Sequence, residues 1–274
     1  MPGLLRRLTP PLQPSTDLRY PCHPRRLRPL GLLAAALTLT SFLPAPPARA
    51  AAPSPALLQS LEAALNGNDS GALGALLEAG PDFDPAAVER RHRTLRDLFP
   101  KARWRITPAA PLRDGRPTVN LTVTGQRQEG PFTYRLEAQQ QLALESNGRR
   151  INGQSVLREQ SILRSGEAPL PVSLQIPDAV LTGQRYDVDV LFDEPLDGAV
   201  VAGGLVAVRP EQVSALESPD LQLGALGGGG LFKSVQAPLN PGFQTWAVLL
   251  VHPDGIVSAT KRVRVVTDRQ ALLP

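Results

Sequence analysis

The chain has 274 residues, with 29 basic and 25 acidic side chains and a formal charge of +4. An isoelectric point near 9.7 suggests nucleic acid or an anionic membrane as partner, but the positions of the charges exclude that reading. Seven arginines and one aspartate lie in the first 50 residues; without them 22 basic and 24 acidic residues remain, a net charge of −2.

A hydrophobic fraction of 42% suffices for a packed core. Twenty-nine prolines argue against a long helical bundle. The single cysteine, Cys22, excludes a disulfide framework and a cysteine zinc cluster.

Residues 1–50 read as a signal peptide with an N-terminal extension. Arg25, Arg26 and Arg28 form a charged region, Leu30 to Leu43 is an uncharged stretch, and Ala48-Arg49-Ala50 is a small-x-small cleavage site. Cleavage is expected between Ala50 and Ala51, leaving 224 of the 274 residues. The uncharged stretch falls short of the ~20 residues a spanning helix needs, so no stable membrane span is expected after cleavage. The expected destination is the periplasm, an equivalent lumen or the exterior; Arg25-Arg26 invites the twin-arginine route, but Leu27-Arg28-Pro29-Leu30 fit that motif poorly, which favours general secretion.

Three short helices open the following segment. Ser54-Pro55 starts the first, Leu57, Leu58, Leu61, Ala64 and Leu65 lie on one face, and Asn66-Gly67 stops it. Asp69 or Ser70 caps the second, which carries Leu73, Leu76 and Leu77 to Gly80-Pro81. Asp84-Pro85 starts the third, with Val88, His92, Leu95 and Phe99 on one stripe and Pro100 as its end.

The period then changes to two. Trp104 and Ile106 mark a short strand, Val119, Leu121 and Val123 a second, and Phe132 to Leu144 a long third with alternating apolar and polar positions. Asn147-Gly148 signals a two-residue hairpin. The return strand to Arg164 breaks its alternation, which predicts a bulge or bend. Residues 167–170 read as a linker. Short strands follow at 172–176, 185–192, 199–208, 221–223, 231–235, 243–252, 256–259 and 262–266, with a hairpin at His252-Pro253-Asp254-Gly255. That spacing predicts an all-β, immunoglobulin-like (Ig-like) sandwich over 171–268 and a tail at 269–274.

The helices and long hairpins, with the turn Asn66-Gly67-Asn68-Asp69 and the Asp82-Phe83-Asp84 segment, resemble the nuclear transport factor 2-like superfamily over residues 54–166. Together with an Ig-like tail, the pattern resembles uncharacterised exported two-domain bacterial proteins of cyanobacterial type. The resemblance implies an α+β fold: three short helices on a curved antiparallel sheet that forms a cystatin-like cone, then a separate sandwich. In that superfamily the cone encloses an apolar pocket. Members range from ketosteroid isomerase-like enzymes to non-catalytic binding and dimerisation modules, so the fold leaves function open.

Isomerase chemistry of that kind uses a pocket carboxylate and a tyrosine–acid pair. Tyr134 sits on an apolar strand face that Glu129, Glu137 and Glu145 do not share, and no catalytic set is expected. His92, Trp104, Tyr134 and Gln140 are the candidate lining of an open pocket. Gly227 to Ser234 lacks the glycine before Lys233 that a phosphate loop needs. The acids Asp187, Asp189, Asp193, Glu194 and Asp197 read as a solvated strand and turn rather than a calcium site. No cofactor or metal is expected. The reading is an exported, non-catalytic binding or interaction module whose partner is an apolar small molecule, a protein or a second copy, not nucleic acid. The alternative is an isomerase- or cyclase-like enzyme.

Overall fold

The computed structural model describes residues 51–166, 170–193, 201–226 and 229–273. The leader, residues 167–169 of the expected linker, and Glu194 and Asp197 lie outside them.

Helix α1 spans Pro55–Asn66. The Ser54 hydroxyl accepts from the Leu57 amide at 3.2 Å, so the residue types at the start fix where the helix begins. Its apolar face buries Leu57, Leu61, Ala64 and Leu65. Helix α2, Ser70–Ala75, is capped by Asp69 and stops earlier than its leucines suggest. Leu77 instead bridges to Ile151 as a strand would. Helix α3, Pro85–Leu98, starts at Asp84-Pro85 and ends at Phe99.

Four antiparallel strands follow: β1 (Arg103–Ala109), β2 (Thr118–Glu129), β3 (Phe132–Ser146) and β4 (Ile151–Gly166). The β3–β4 loop is longer than a two-residue turn. Asn147 closes it by accepting from the amides of Arg149 and Arg150, both at 2.9 Å, while Gly148 takes φ +91°. The register of β4 shifts against β3 at Gln141/Leu142 and at Glu145/Ser146, leaving Leu157 and Asn152 without partners across the ladder. These are the irregularities that the broken alternation predicts.

The later strands are β5 (Val172–Gln175), β6 (Ala179–Leu181), β7 (Arg185–Phe192), β8 (Val201–Val208), β9 (Gly224–Leu226), β10 (Gly230–Gln236), β11 (Gly242–His252) and β12 (Gly255–Val266). A one-turn helix α4, Pro210–Ala215, follows β8. The strand expected at 221–223 sits three residues later, as β9, and the two expected at 256–259 and 262–266 are one continuous strand, β12.

Among the described residues, nine strands join one sheet, ordered β1-β2-β3-β4-β12-β11-β8-β9, with β6 running parallel to the end of β12. A second sheet holds β10-β7-β5. The expected α+β cone followed by a separate sandwich is therefore corrected: the structure is mostly β, and β12 pairs with β4 over residues 255–262 and 159–166. The hydrogen-bonding edge of β4 that a free cone would leave open is taken by the last long strand of the chain. All described residues belong to one compact unit.

The two halves of the large sheet bury opposite faces. Helices α1–α3 cover one face of β1–β4, around Leu61, Leu73, Phe83, Trp104, Leu136 and Ile151. The three-stranded sheet covers the other face of β11 and β12, through Val172, Val190, Val248, Leu250 and Val257. Strand β4 serves both cores, with Ile151 in the first and Ile162 in the second. Where β4 departs from β12 at the Leu157 bulge, the Arg264 side chain takes up the freed Leu157 carbonyl at 3.0 Å, and β6 continues the pairing with β12.

At the start of β12 the register sets Gly166 opposite Gly255. Gly166 has φ +118°, and a Cβ there would collide with the Asp254 carbonyl. Gly166→Ala is thus expected to destabilise the protein by about 1–3 kcal/mol, read as a lower urea midpoint. An unchanged midpoint would show that the strands are not held this closely.

Candidate functional site

The interior under the helices, which the sequence leaves either open or plugged, is filled. Leu57, Leu61, Leu73, Phe99, Trp104 and Leu136, each at most 9% exposed, pack where the sheet curls around the helices. Among the described residues, two cavities beside the helices are lined by residues at its rim.

Asn66 and Glu62, on the last turns of α1, hold the outer edge of β1. The Asn66 amide accepts from Trp104 N at 3.0 Å and donates to Trp104 O at 2.7 Å, as a neighbouring strand would. The Glu62 carboxylate accepts from Ile106 N at 2.6 Å. Two side chains of a helix thereby satisfy an edge that would otherwise template pairing with another chain. Beside this clamp lies a cavity of about 660 Å³, lined by Glu62, Asn66, Arg103, Trp104, Arg105, Thr122 and Thr124.

A smaller cavity of about 290 Å³ lies between the α1–α2 turn and α3, lined among others by His92 and Arg96. Both residues serve the C-terminus of α1. His92 Nε2 is 2.8 Å from the Leu65 carbonyl, and Arg96 donates to the carbonyls of Asn66 and Gly67. Those groups are orphan acceptors at a negative helix end, where a cation is favoured.

Of the four sequence-predicted lining residues, the structure brings two together. The His92 and Trp104 rings lie 4.9 Å apart, centre to centre. Tyr134 is half-buried with the Arg127 guanidinium 5.0 Å above its ring, and Arg127 also lies over Phe99. Gln140 donates to Glu159 at 2.6 Å, and Glu159 in turn lies 2.9 Å from Arg262 Nε, too poorly aligned for a hydrogen bond. Tyr134 and Gln140 border neither cavity. Ala51, just after the expected cleavage point, is tied to Ser146 through paired backbone hydrogen bonds of 3.0 and 2.7 Å.

Sequence reading missed Arg103, Arg105, Thr122 and Thr124. Their signal was present as two Arg-x-Arg and Thr-x-Thr alternations; the register that faces them was not. Asp187 and Asp189 lie on β7. Among the described residues no group of three or more His, Cys, Asp or Glu gathers as a metal site would, and no helix is long and apolar enough to cross a membrane.

Residues 167–266 match the family described as a domain of unknown function (DUF8623). No curated protein matches the chain. The matched segment runs from the end of β4 to the end of β12, so it excludes α1–α3 and β1–β4, which carry the larger cavity.

One buried titratable group lies away from both cavities. The Tyr186 hydroxyl donates to Gln244 at 2.6 Å and accepts from the Trp246 indole at 2.9 Å. Burial pushes its pKa above the usual phenol value, while the indole hydrogen bond pulls it down by less. The fold thus favours the neutral phenol. Its contribution is complete below about pH 10, the unfolded value, and is lost as pH rises through the folded one. Unfolding free energy measured in urea from pH 8 to 11 is expected to fall more steeply above pH ~10 in the wild type than in Tyr186→Phe. Parallel curves would contradict this.

Proposed function

We propose that this chain is an exported, non-catalytic binding or interaction protein that works through its outer surfaces. The observation that carries the reading is the filled space under α1–α3: leucine, phenylalanine and tryptophan side chains occupy the volume that a small-molecule enzyme of this helix–sheet type would keep open. An isomerase- or cyclase-like site would need a carboxylate beside Tyr134 in an open cavity. Tyr134 instead lies beneath Arg127, which is paired at 3.1 Å with the exposed Glu129.

Export is supported by the three-part leader and by Ala51, whose backbone is already engaged at the point where the mature chain would begin. The outer face of β1–β4 supports surface recognition. It displays Asn120, Thr122, Thr124, Gln139 and Gln160 with arginines between them, and few apolar groups.

Native mass spectrometry on protein recovered from its host's envelope fraction tests both parts. The expected species begins at Ala51 and retains no apolar small molecule. A chain that keeps residues 1–50 would contradict export, and a stoichiometric apolar adduct would contradict the filled interior.

A further inference from the structure

The cavity beside β1 has the chemistry of a ligand site. Alternation along β1 turns Trp104 and Ile106 toward the core and Arg103 and Arg105 toward the opposite face. The register then sets Thr124 directly across from Arg103 and Thr122 across from Arg105. Cross-strand neighbours of this kind lie about 5 Å apart, and same-face positions on one strand about 7 Å apart. Two guanidinium groups and two hydroxyls therefore form a compact square at the cavity wall. Both arginines are exposed, and among the described residues neither has a carboxylate within ion-pair distance.

A pair of free guanidinium forks is suited to the oxygens of a carboxylate or phosphate. The threonine hydroxyls can donate to the same oxygens or accept from a ligand hydroxyl. Glu62 adds a second requirement. One of its oxygens is held by the Ile106 amide, and its charge at the cavity edge disfavours a ligand that is anionic along its whole length. A ligand with hydroxyls beside its anionic group satisfies both sides. The Trp104 ring packs against His92 at a tilt of 52° and is buried, so recognition is polar.

We infer that the groove formed by Arg103, Arg105, Thr122, Thr124 and Glu62 binds an anionic carbohydrate, a sugar chain bearing carboxylate or phosphate groups. The inference rests on the reading of a surface-acting binding protein and gives that reading its ligand class.

Isothermal titration of the full chain with a glucan oligomer carrying one glucuronate unit and with a glucan oligomer carrying one phosphate tests it, with a neutral glucan oligomer and single-stranded DNA as comparisons. Binding of either anionic sugar is expected, weakened by salt, with none for the neutral glucan. Which anionic probe binds tells carboxylate from phosphate recognition. The double variant Arg103→Gln/Arg105→Gln is expected to bind at least 10-fold more weakly with an unchanged melting temperature, because both side chains are exposed. Thr122→Val is expected to weaken binding less, about threefold. Failure of both anionic sugars to bind, or equal binding by the double variant, would overturn the proposal. DNA binding as tight and as arginine-dependent as sugar binding would overturn the carbohydrate assignment. The envelope measurement above is independent of these results, so a failed titration beside an adduct-free mature chain removes the ligand class alone.

Discussion

Strand β4 is paired along both edges, to β3 on one side and to β12 on the other, and the rest of the structure depends on that arrangement. Each backbone amide and carbonyl of a buried strand needs a partner, because leaving one unsatisfied costs on the order of a net hydrogen bond or more. The helix-bearing hairpins cannot supply the second edge of β4, and the strands of the C-terminal half can. Once that pairing forms, the two apolar cores are fixed on opposite faces of one sheet. The Leu157 bulge keeps this compatible with the sequence: Val156 joins the helical core, while Leu157 and Ile162 lie in clusters on the other side.

This arrangement decides which surfaces remain for recognition. The face of β1–β4 toward the helices is filled, and the face of β11 and β12 toward the small sheet is filled. The outer face of β1–β4 stays open to water, apart from Ile162, which lies in the core under the small sheet, and a small patch where Leu112, Ala143 and Leu157 meet. Its edge is shaped by α1, whose Asn66 and Glu62 close the backbone of β1 against pairing with other chains and leave side chains to do the recognising. The same clamp forms one wall of the larger cavity. The positive charge is local: residues 51–274 carry a formal charge of −2, yet Arg103 and Arg105 stand together with no ion-pair partner among the described residues.

Much of the local structure was legible in the sequence. Ser54-Pro55 and Asp84-Pro85 mark the starts of α1 and α3, and His252 to Gly255 marks the turn between β11 and β12. These signals act within a few residues. The connectivity of the sheet was not legible, because pairing between residues 159 and 262 depends on two distant strands sharing an edge. The bulge was visible as broken alternation, but its role in dividing β4 between two cores was not. Within the site, His92 and Trp104 were found as neighbours through the helical stripe and the start of β1. Tyr134 and Gln140 share their strand face, yet stay apart from them because the curved sheet carries each to a different partner, Arg127 and Glu159. The arginine pair went unread since its meaning lies in which threonines face it.

Native-state hydrogen exchange on the β4–β12 ladder tests the continuous sheet most directly. Amides of residues 159–166 and 255–262 that lie in the ladder, together with buried amides of β2, β3 and β11, are expected to exchange through one global opening with a common free energy and denaturant dependence. If the strands before residue 166 and those after it instead opened with two separate free energies, the sheet would be two units in contact, and the shared role of β4 would be contradicted.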